Sequence, residues 1–245
     1  MRWIFLWVLL LSSALAELPV LNQYVLQAVR QMPKGKGYEA SQRAVDRLAG
    51  AVKVNDGGRF SIDYRKVGSC FCSGATYLVM LQVMNDLEMA GAPRFSRKAK
   101  ERWARLGVAD GEAVFGRWNA NGPGTARLFH ELKCGKNFTG FERALPGDFL
   151  KIWWTEEIGG RERGHLVVYL GTERGKVRFW SANQPKGYGE KAVPRERIKR
   201  HLFSRLTDYR HLERVTGLSE KDDFLAEMLR KSFVWKEMVQ KCGVK

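Results

Sequence analysis

The chain has 245 residues, with 42 Lys and Arg against 26 Asp and Glu, a formal net charge of +16. Hydrophobic residues make up 44% and charged residues 28%, ordinary values that exclude wholesale disorder, a collagen-like repeat and a multi-span membrane protein. Four cysteines are too few to frame the folding of so long a chain, and the basic excess implies an anionic partner or surface.

Met1-Arg2 gives a short positive start, residues 3–11 are an unbroken apolar run, and Ala14-Leu15-Ala16 has the small-x-small pattern that signal peptidases cut. Residues 1–16 are therefore expected to be a signal peptide, with 17–245 as one exported domain, periplasmic or extracellular. The run is short for a bilayer span, so no stable membrane anchor is expected after cleavage, although an uncleaved anchor is the alternative. Export changes the meaning of the charge: the partners it favours are cell-wall carboxylates, phosphate-rich wall polymers and anionic head groups. The basic residues are scattered and no aromatic-basic reading motif accompanies them, so nucleic acid is not expected. A merely solvated basic surface is the plainer alternative.

Apolar positions at helical spacing predict helices over 20–31 and about 40–52, separated by a Gly/Lys-rich break at 34–37. Asn55-Asp56-Gly57-Gly58 is a turn signal, and 59–66 reads as a short strand or extended lead-in. From 73 to 90 the apolar residues run almost continuously among helix formers, which predicts a central helix buried on all sides. Shorter helices are expected after Ser96, over 111–118 and over 125–132. The pattern then changes: 148–154, 164–171 and 176–182 are short, rich in Val, Ile, Trp and Tyr, and bounded by turn residues, and 202–206 adds a fourth such stretch. These predict an antiparallel sheet. Ser219 and Asp222 suggest a capping box opening a last helix to about 241. Helices first and strands later predict an α+β fold around one core.

Cys72 falls at the first turn of the central helix, where unpaired amides and the positive helix end favour a thiolate. Ser73 and Gly74 are small enough for a substrate backbone to come close. His165 begins a strand after Gly164, a rigid place for a general base. Ser181 and Asn183 alternate onto one face of the next strand, with Gln184 beside them, and either could orient the imidazole. Cys70 is the competing thiol but precedes the helix, and His130, His201 and His211 lack a companion nucleophile. The histidines are well separated and the cysteines form only a C-x-C pair, so neither metal nor other cofactor is expected. Asn137-Phe138-Thr139 fits a glycosylation acceptor, and a Cys134–Cys242 disulfide is compatible with export, though Cys70 could pair instead.

Three segments carry a resemblance. Phe71-Cys72-Ser73-Gly74, Leu145-Pro146-Gly147-Asp148-Phe149 and Gly164-His165-Leu166-Val167-Val168-Tyr169-Leu170-Gly171 look like the three signatures of NlpC-type cell-wall peptidases, in the same order. Those are papain-like cysteine enzymes. The resemblance covers about 110 residues, within a core of about 55–210, and implies a nucleophile helix packed on an antiparallel sheet, with extra N-terminal, middle and C-terminal helices. Two positions depart from that pattern: Phe71 stands where the family usually has Asp, and Ser181 where it often has a second histidine. Trp180-Ser181-Ala182-Asn183 is closer to the related CHAP amidases, whose asparagine Asn183 matches. The resemblance therefore implies a monomeric Cys72–His165–Asn183 hydrolase, with Ser181 as second choice for the orienter, cutting an amide in peptidoglycan peptides. Ser73, Gly74, Trp154, Gly164 and Gln184 would meet the substrate. A catalytically inert wall-binding module of the same fold and a Cys-His acyltransferase are the alternatives.

Overall fold

The computed structural model describes residues 18–162 and 164–244. The expected signal peptide at 1–16 lies outside the described residues. The first helix, α1 (Val20–Gln31), is followed by a two-residue strand β1 (Gly35–Lys36). Ser41 caps α2 (Gln42–Ala51), its hydroxyl accepting from Ala44 N–H at 3.2 Å. The turn at 55–58 closes a small hairpin, β2 (Val52–Val54) with β3 (Phe60–Ile62), and Asn55 Oδ1 accepts from Arg59 N–H. One turn of helix, α3 (Tyr64–Val67), leads to the central helix α4 (Cys72–Met89).

Helix α4 is buried around its whole circumference, as its apolar sequence requires: α1 packs on it from one side and the main sheet from the other. Its far end is tied by a buried ion pair between Glu88 and Lys100 at 2.7 Å, and Lys100 Nζ also donates to Gly58 O at the hairpin turn. Lys100 belongs to α5 (Arg97–Ala104), which Ser96 caps; α6 (Ala113–Asn119) and α7 (Gly124–Leu132) follow.

The remaining strands are β4 (Gly135–Phe138), β5 (Phe149–Trp153), β6 (His165–Glu173), β7 (Lys176–Asn183), β8 (Gly187–Pro194) and β9 (Arg200–Leu206). With β1 they form one sheet in the order β1-β8-β7-β6-β5-β9-β4, every pairing antiparallel. The molecule is thus mixed α+β. Phe149, Leu166, Val168, Trp180 and Ala182 join the main core that surrounds α4. Leu150, Ile152, Val167, Tyr169, Phe179 and Phe203 form a second cluster, against which Phe141 and Ala144 pack. Both sets of alternating residues are therefore buried, and these strands read as nearly continuous apolar runs.

The Pro146-Gly147-Asp148 turn is a structural junction. Gly147 has φ +94°, and a methyl group there would lie 2.6 Å from Asn22 O. Asp148 is wholly buried and accepts from Asn22 Nδ2, Leu145 N–H and both Nε and Nη2 of Arg205. One carboxylate thus joins α1, the start of β5 and β9.

Three expectations are corrected. The helix from 219 to 241 is instead two short pieces, α8 (Asp223–Ala226) and α9 (Trp235–Lys241), with irregular chain between. Ser219 donates to Lys221 O, and the cap is Asp222, which accepts from Leu225 N–H. Between the pieces the backbone bonds to other segments: Gly160 N–H reaches Met228 O and Lys231 O, and Phe233 N–H reaches Ile158 O. The expected Cys134–Cys242 disulfide is not formed; all four thiols are free, Cys134 beside Phe129 O and Cys242 against Met238. Nor is Asn137 presented as a glycan acceptor, because its Nδ2 donates to Ala126 O and Cys242 O.

Candidate active site

Cys72 is the first residue of α4, and the preceding Phe71 is extended and offers no side-chain cap. Burial acts most strongly on this thiol and pushes its pKa up. A hydrogen bond from the His165 imidazole, the charge of that imidazole, the Leu166 backbone N–H and the Lys151 charge together outweigh it, and the thiol is lowered to about 7. Cys70 behaves oppositely: it is sealed in the core, and burial pushes it up to about 11. Only one of the two neighbouring thiols is therefore poised as a nucleophile.

His165 starts β6, after Gly164 with φ +50°. Its Nε2 is 3.0 Å from Asn183 Oδ1. The direction of that bond follows from the asparagine: its Nδ2 donates to Ser181 O and Gly189 O, so Oδ1 must accept. Nε2 therefore carries the proton, and Nδ1 is the nitrogen left for the sulfur. Phe179 meets the imidazole edge to face at 5.6 Å, and Trp154 lies 6.4 Å away on its cleft side.

Two cavities of about 400 and 440 Å³ lie side by side and share part of their lining. Cys72, Ser73 and Lys151 line the first; Trp154, His165 and Asn183 line the second; Tyr38, Gly164 and Gln184 line both. The structure thus brings together Cys72, His165, Asn183, Ser73, Trp154, Gly164 and Gln184. Two expected residues stand elsewhere. Ser181 is fully buried and donates to Leu166 O at 2.8 Å, a bond that fastens β7 to β6 and leaves it no part in holding the imidazole. Gly74 lines neither cavity: a methyl group there would lie 2.8 Å from Cys70 Sγ and 3.0 Å from Leu48 Cδ2, so its smallness serves core packing. His130, His201 and His211 also line neither cavity.

Sequence reasoning missed several residues. The Ser73 hydroxyl donates to Asn119 Oδ1, Asn119 Nδ2 to Asp110, and Asn121 N–H to the other Asp110 oxygen, so the loop after α6 is braced against the start of α4. The Tyr38 hydroxyl bonds to the Cys72 sulfur, and burial with the nearby thiols pushes its pKa well up, keeping it a proton donor. Lys151 and Glu162, both buried, precede Gly164 along the chain and line the first and second cavity respectively. The signal for Lys151 was a lone charge in Phe149-Leu150-Lys151-Ile152-Trp153, at the same strand parity as two core aromatics. Among the described residues no group of three or more His, Cys, Asp or Glu is placed to hold a metal ion.

No protein-family model, no curated protein and no solved structure matches the chain.

Proposed function

We propose that this protein is an exported cysteine hydrolase of papain-like type that cuts an amide bond in the peptide stems of peptidoglycan. The observation that carries the reading is an asparagine-fixed imidazole facing a thiol whose pKa lies about 7. An inert wall-binding module would have no use for that acidity. The substrate class rests on the motif resemblance to NlpC and CHAP enzymes and on the basic charge of a chain with an export-type N-terminus.

In the proposed cycle the Cys72 thiol gives its proton to His165 Nδ1, and the resulting thiolate adds to the amide carbonyl carbon, forming a C–S bond as the C=O π pair moves to oxygen. The carbonyl oxygen takes the negative charge. The donors assigned to it in this reading are the Cys72 backbone N–H, which as the first of the helix has no intrahelical acceptor, and the hydroxyl of Tyr38, which lines the same cavity. His165 gives its Nδ1 proton to the amine as the C–N bond breaks, leaving a thioester. Water then loses a proton to His165 and adds to the thioester; the C–S bond breaks, giving a carboxylic acid and the thiol. Asn183 acts throughout as a positioning residue, holding the Nε2–H tautomer.

The test is mass spectrometry of purified peptidoglycan incubated with wild type and with Cys72→Ala. New muropeptides are expected from wild type alone, with masses that name the bond; the same fragments from both proteins would overturn the assignment. An acyltransferase would instead leave peptidoglycan intact and move a labelled acyl group onto an acceptor.

A further inference from the structure

Cys72 and His165 stand on separate elements, the first residue of α4 and the first of β6, so their alignment depends on what ties those two starts together. The stretch Asn119-Ala120-Asn121-Gly122-Pro123-Gly124 between α6 and α7 has the composition of a surface loop, yet Asn121 is 8% exposed and Gly122, Pro123 and Gly124 are buried. On one side it reaches α4: Asn119 Oδ1 accepts from the Ser73 hydroxyl at 2.7 Å, and the neighbouring Trp118 indole donates to Ser73 O at 3.1 Å. Asp110 links the two asparagines, accepting from Asn119 Nδ2 at 2.9 Å and from Asn121 N–H at 3.1 Å. On the other side Asn121 Nδ2 donates to the Glu162 carbonyl, on the approach to β6. The Glu162 carboxylate in turn accepts from Trp154 N–H, just past β5, and from Gly164 N–H. An unbroken run of hydrogen bonds therefore connects the residue after Cys72 to the residue before His165. Its members line both cavities: Asp110, Asn119 and Asn121 the first, Glu162 the second.

We propose that Asn121 is a positioning residue, the central link of a polar clasp that holds the start of α4 and the start of β6 at the spacing the Cys72–His165 pair requires. This rests on the reading of those two as the reacting pair and adds how their separation is set. Behind the pair, α4 packs on β6 and β7. Apolar packing is non-directional and sets the layers, whereas a chain of hydrogen bonds fixes distance and orientation at the ends of the elements. The His165 imidazole and the Leu166 N–H, which both favour the thiolate, sit together at the start of β6. Slack in the clasp therefore withdraws both from the sulfur at once.

The test needs no peptidoglycan. The pH midpoint of Cys72 alkylation by iodoacetamide is measured for wild type, Asn121→Ala, Ser73→Ala and the double variant, each checked for folding by circular dichroism. Asn121→Ala removes the donor to Glu162 and leaves the backbone N–H on Asp110, while Ser73→Ala releases the opposite end of the clasp. Each single change is expected to raise the midpoint by about one pH unit, which cuts labelling at pH 7 about fivefold. Because both act through one clasp, the double variant should rise no further than the larger single shift. An unchanged midpoint in folded Asn121→Ala, or two shifts that simply add, would overturn the proposal. Should Asn121→Ala not fold, Ser73→Ala, which puts a strong helix former in the first turn of α4, makes the same test alone, and an unmoved midpoint there equally overturns it. A wild-type midpoint at about 8.5 would sink the reading of the pair, whereas a wild-type midpoint near 7 with unmoved variants would sink the clasp alone.

Discussion

At pH 6 roughly a tenth of the Cys72 population is ionised if its pKa is about 7, and at pH 8 roughly nine-tenths. Iodoacetamide labelling of Cys72 should therefore climb through a midpoint near pH 7, while a free thiol climbs near 8.5. The sign is fixed, because only the deprotonated sulfur attacks. A midpoint at or above 8.5, read by peptide mapping, would remove the basis for the nucleophile. Asn183→Ala frees the imidazole to rotate and to change tautomer. Turnover should drop about 100-fold with little change in KM, the mark of lost positioning rather than lost binding. Cysteine and histidine were legible from a helix start and a strand start, whereas strand parity left Ser181 and Asn183 open and only the CHAP resemblance favoured the asparagine. Ser181 and Gly74 were misread because a small or polar residue beside a nucleophile looks the same whether it serves the cleft or the packing behind it. Lys151 and Tyr38 went unread, because neither has a neighbour along the chain that marks it as part of the site.

Helix α4 carries Cys72 at one end and is locked at the other by Glu88 and Lys100, so its axial position is set by packing along its full length. Gly74→Ala intrudes on Cys70 and Leu48 in that packing and should cost about 1–3 kcal/mol by denaturant titration. A wild-type midpoint in the variant would show that the helix can shift to make room. Helices α1, α2 and α4 to α7, with β5, β6, β7 and β9, were foreseen because their apolar periodicity is strong, whereas the single turn α3 falls where an extended lead-in was expected over 59–66. Strand β8, Gly187-Tyr188-Gly189-Glu190-Lys191-Ala192-Val193-Pro194, was not foreseen. It is bordered on its outer side only by two-residue β1 and carries exposed Glu190 and Lys191, so it has the composition of a protected edge. The last helix failed for the opposite reason. Its sequence suits a helix, but Met228, Lys231 and Phe233 spend their backbone groups on the 158–160 loop.

At the scale of the whole molecule, the C-terminal segment holds the cleft wall. Met228 supports Gly122, Leu229 lines the Cys72 cavity, and Asp222 joins α8 to α7 through Arg127 at 2.9 Å. Burial tends to raise the Asp222 pKa, but the Leu225 N–H and Arg127 overcome it and hold the carboxylate below its ordinary range. The folded state therefore binds fewer protons than the unfolded one in that window. This stabilisation is complete at neutral pH, and it is lost as the pH falls through the ordinary aspartate range toward the depressed folded value. Asp222→Asn should lower stability by about 1–3 kcal/mol at pH 7 and narrow its gap from wild type in acid; a gap constant between pH 7 and pH 3 would count against the pair. That long-range closure was not readable from local pattern, whereas the α+β layout was.

Cys72 takes its acidity from His165, Leu166 and Lys151, all contributed by strands that join the chain about eighty or more residues later. A ribosome-bound or truncated product ending before those strands would carry an ordinary, sluggish thiol. Thiol reactivity is thereby tied to completion of the sheet, and a fluorescent iodoacetamide pulse at pH 7 would tally mature copies against immature ones.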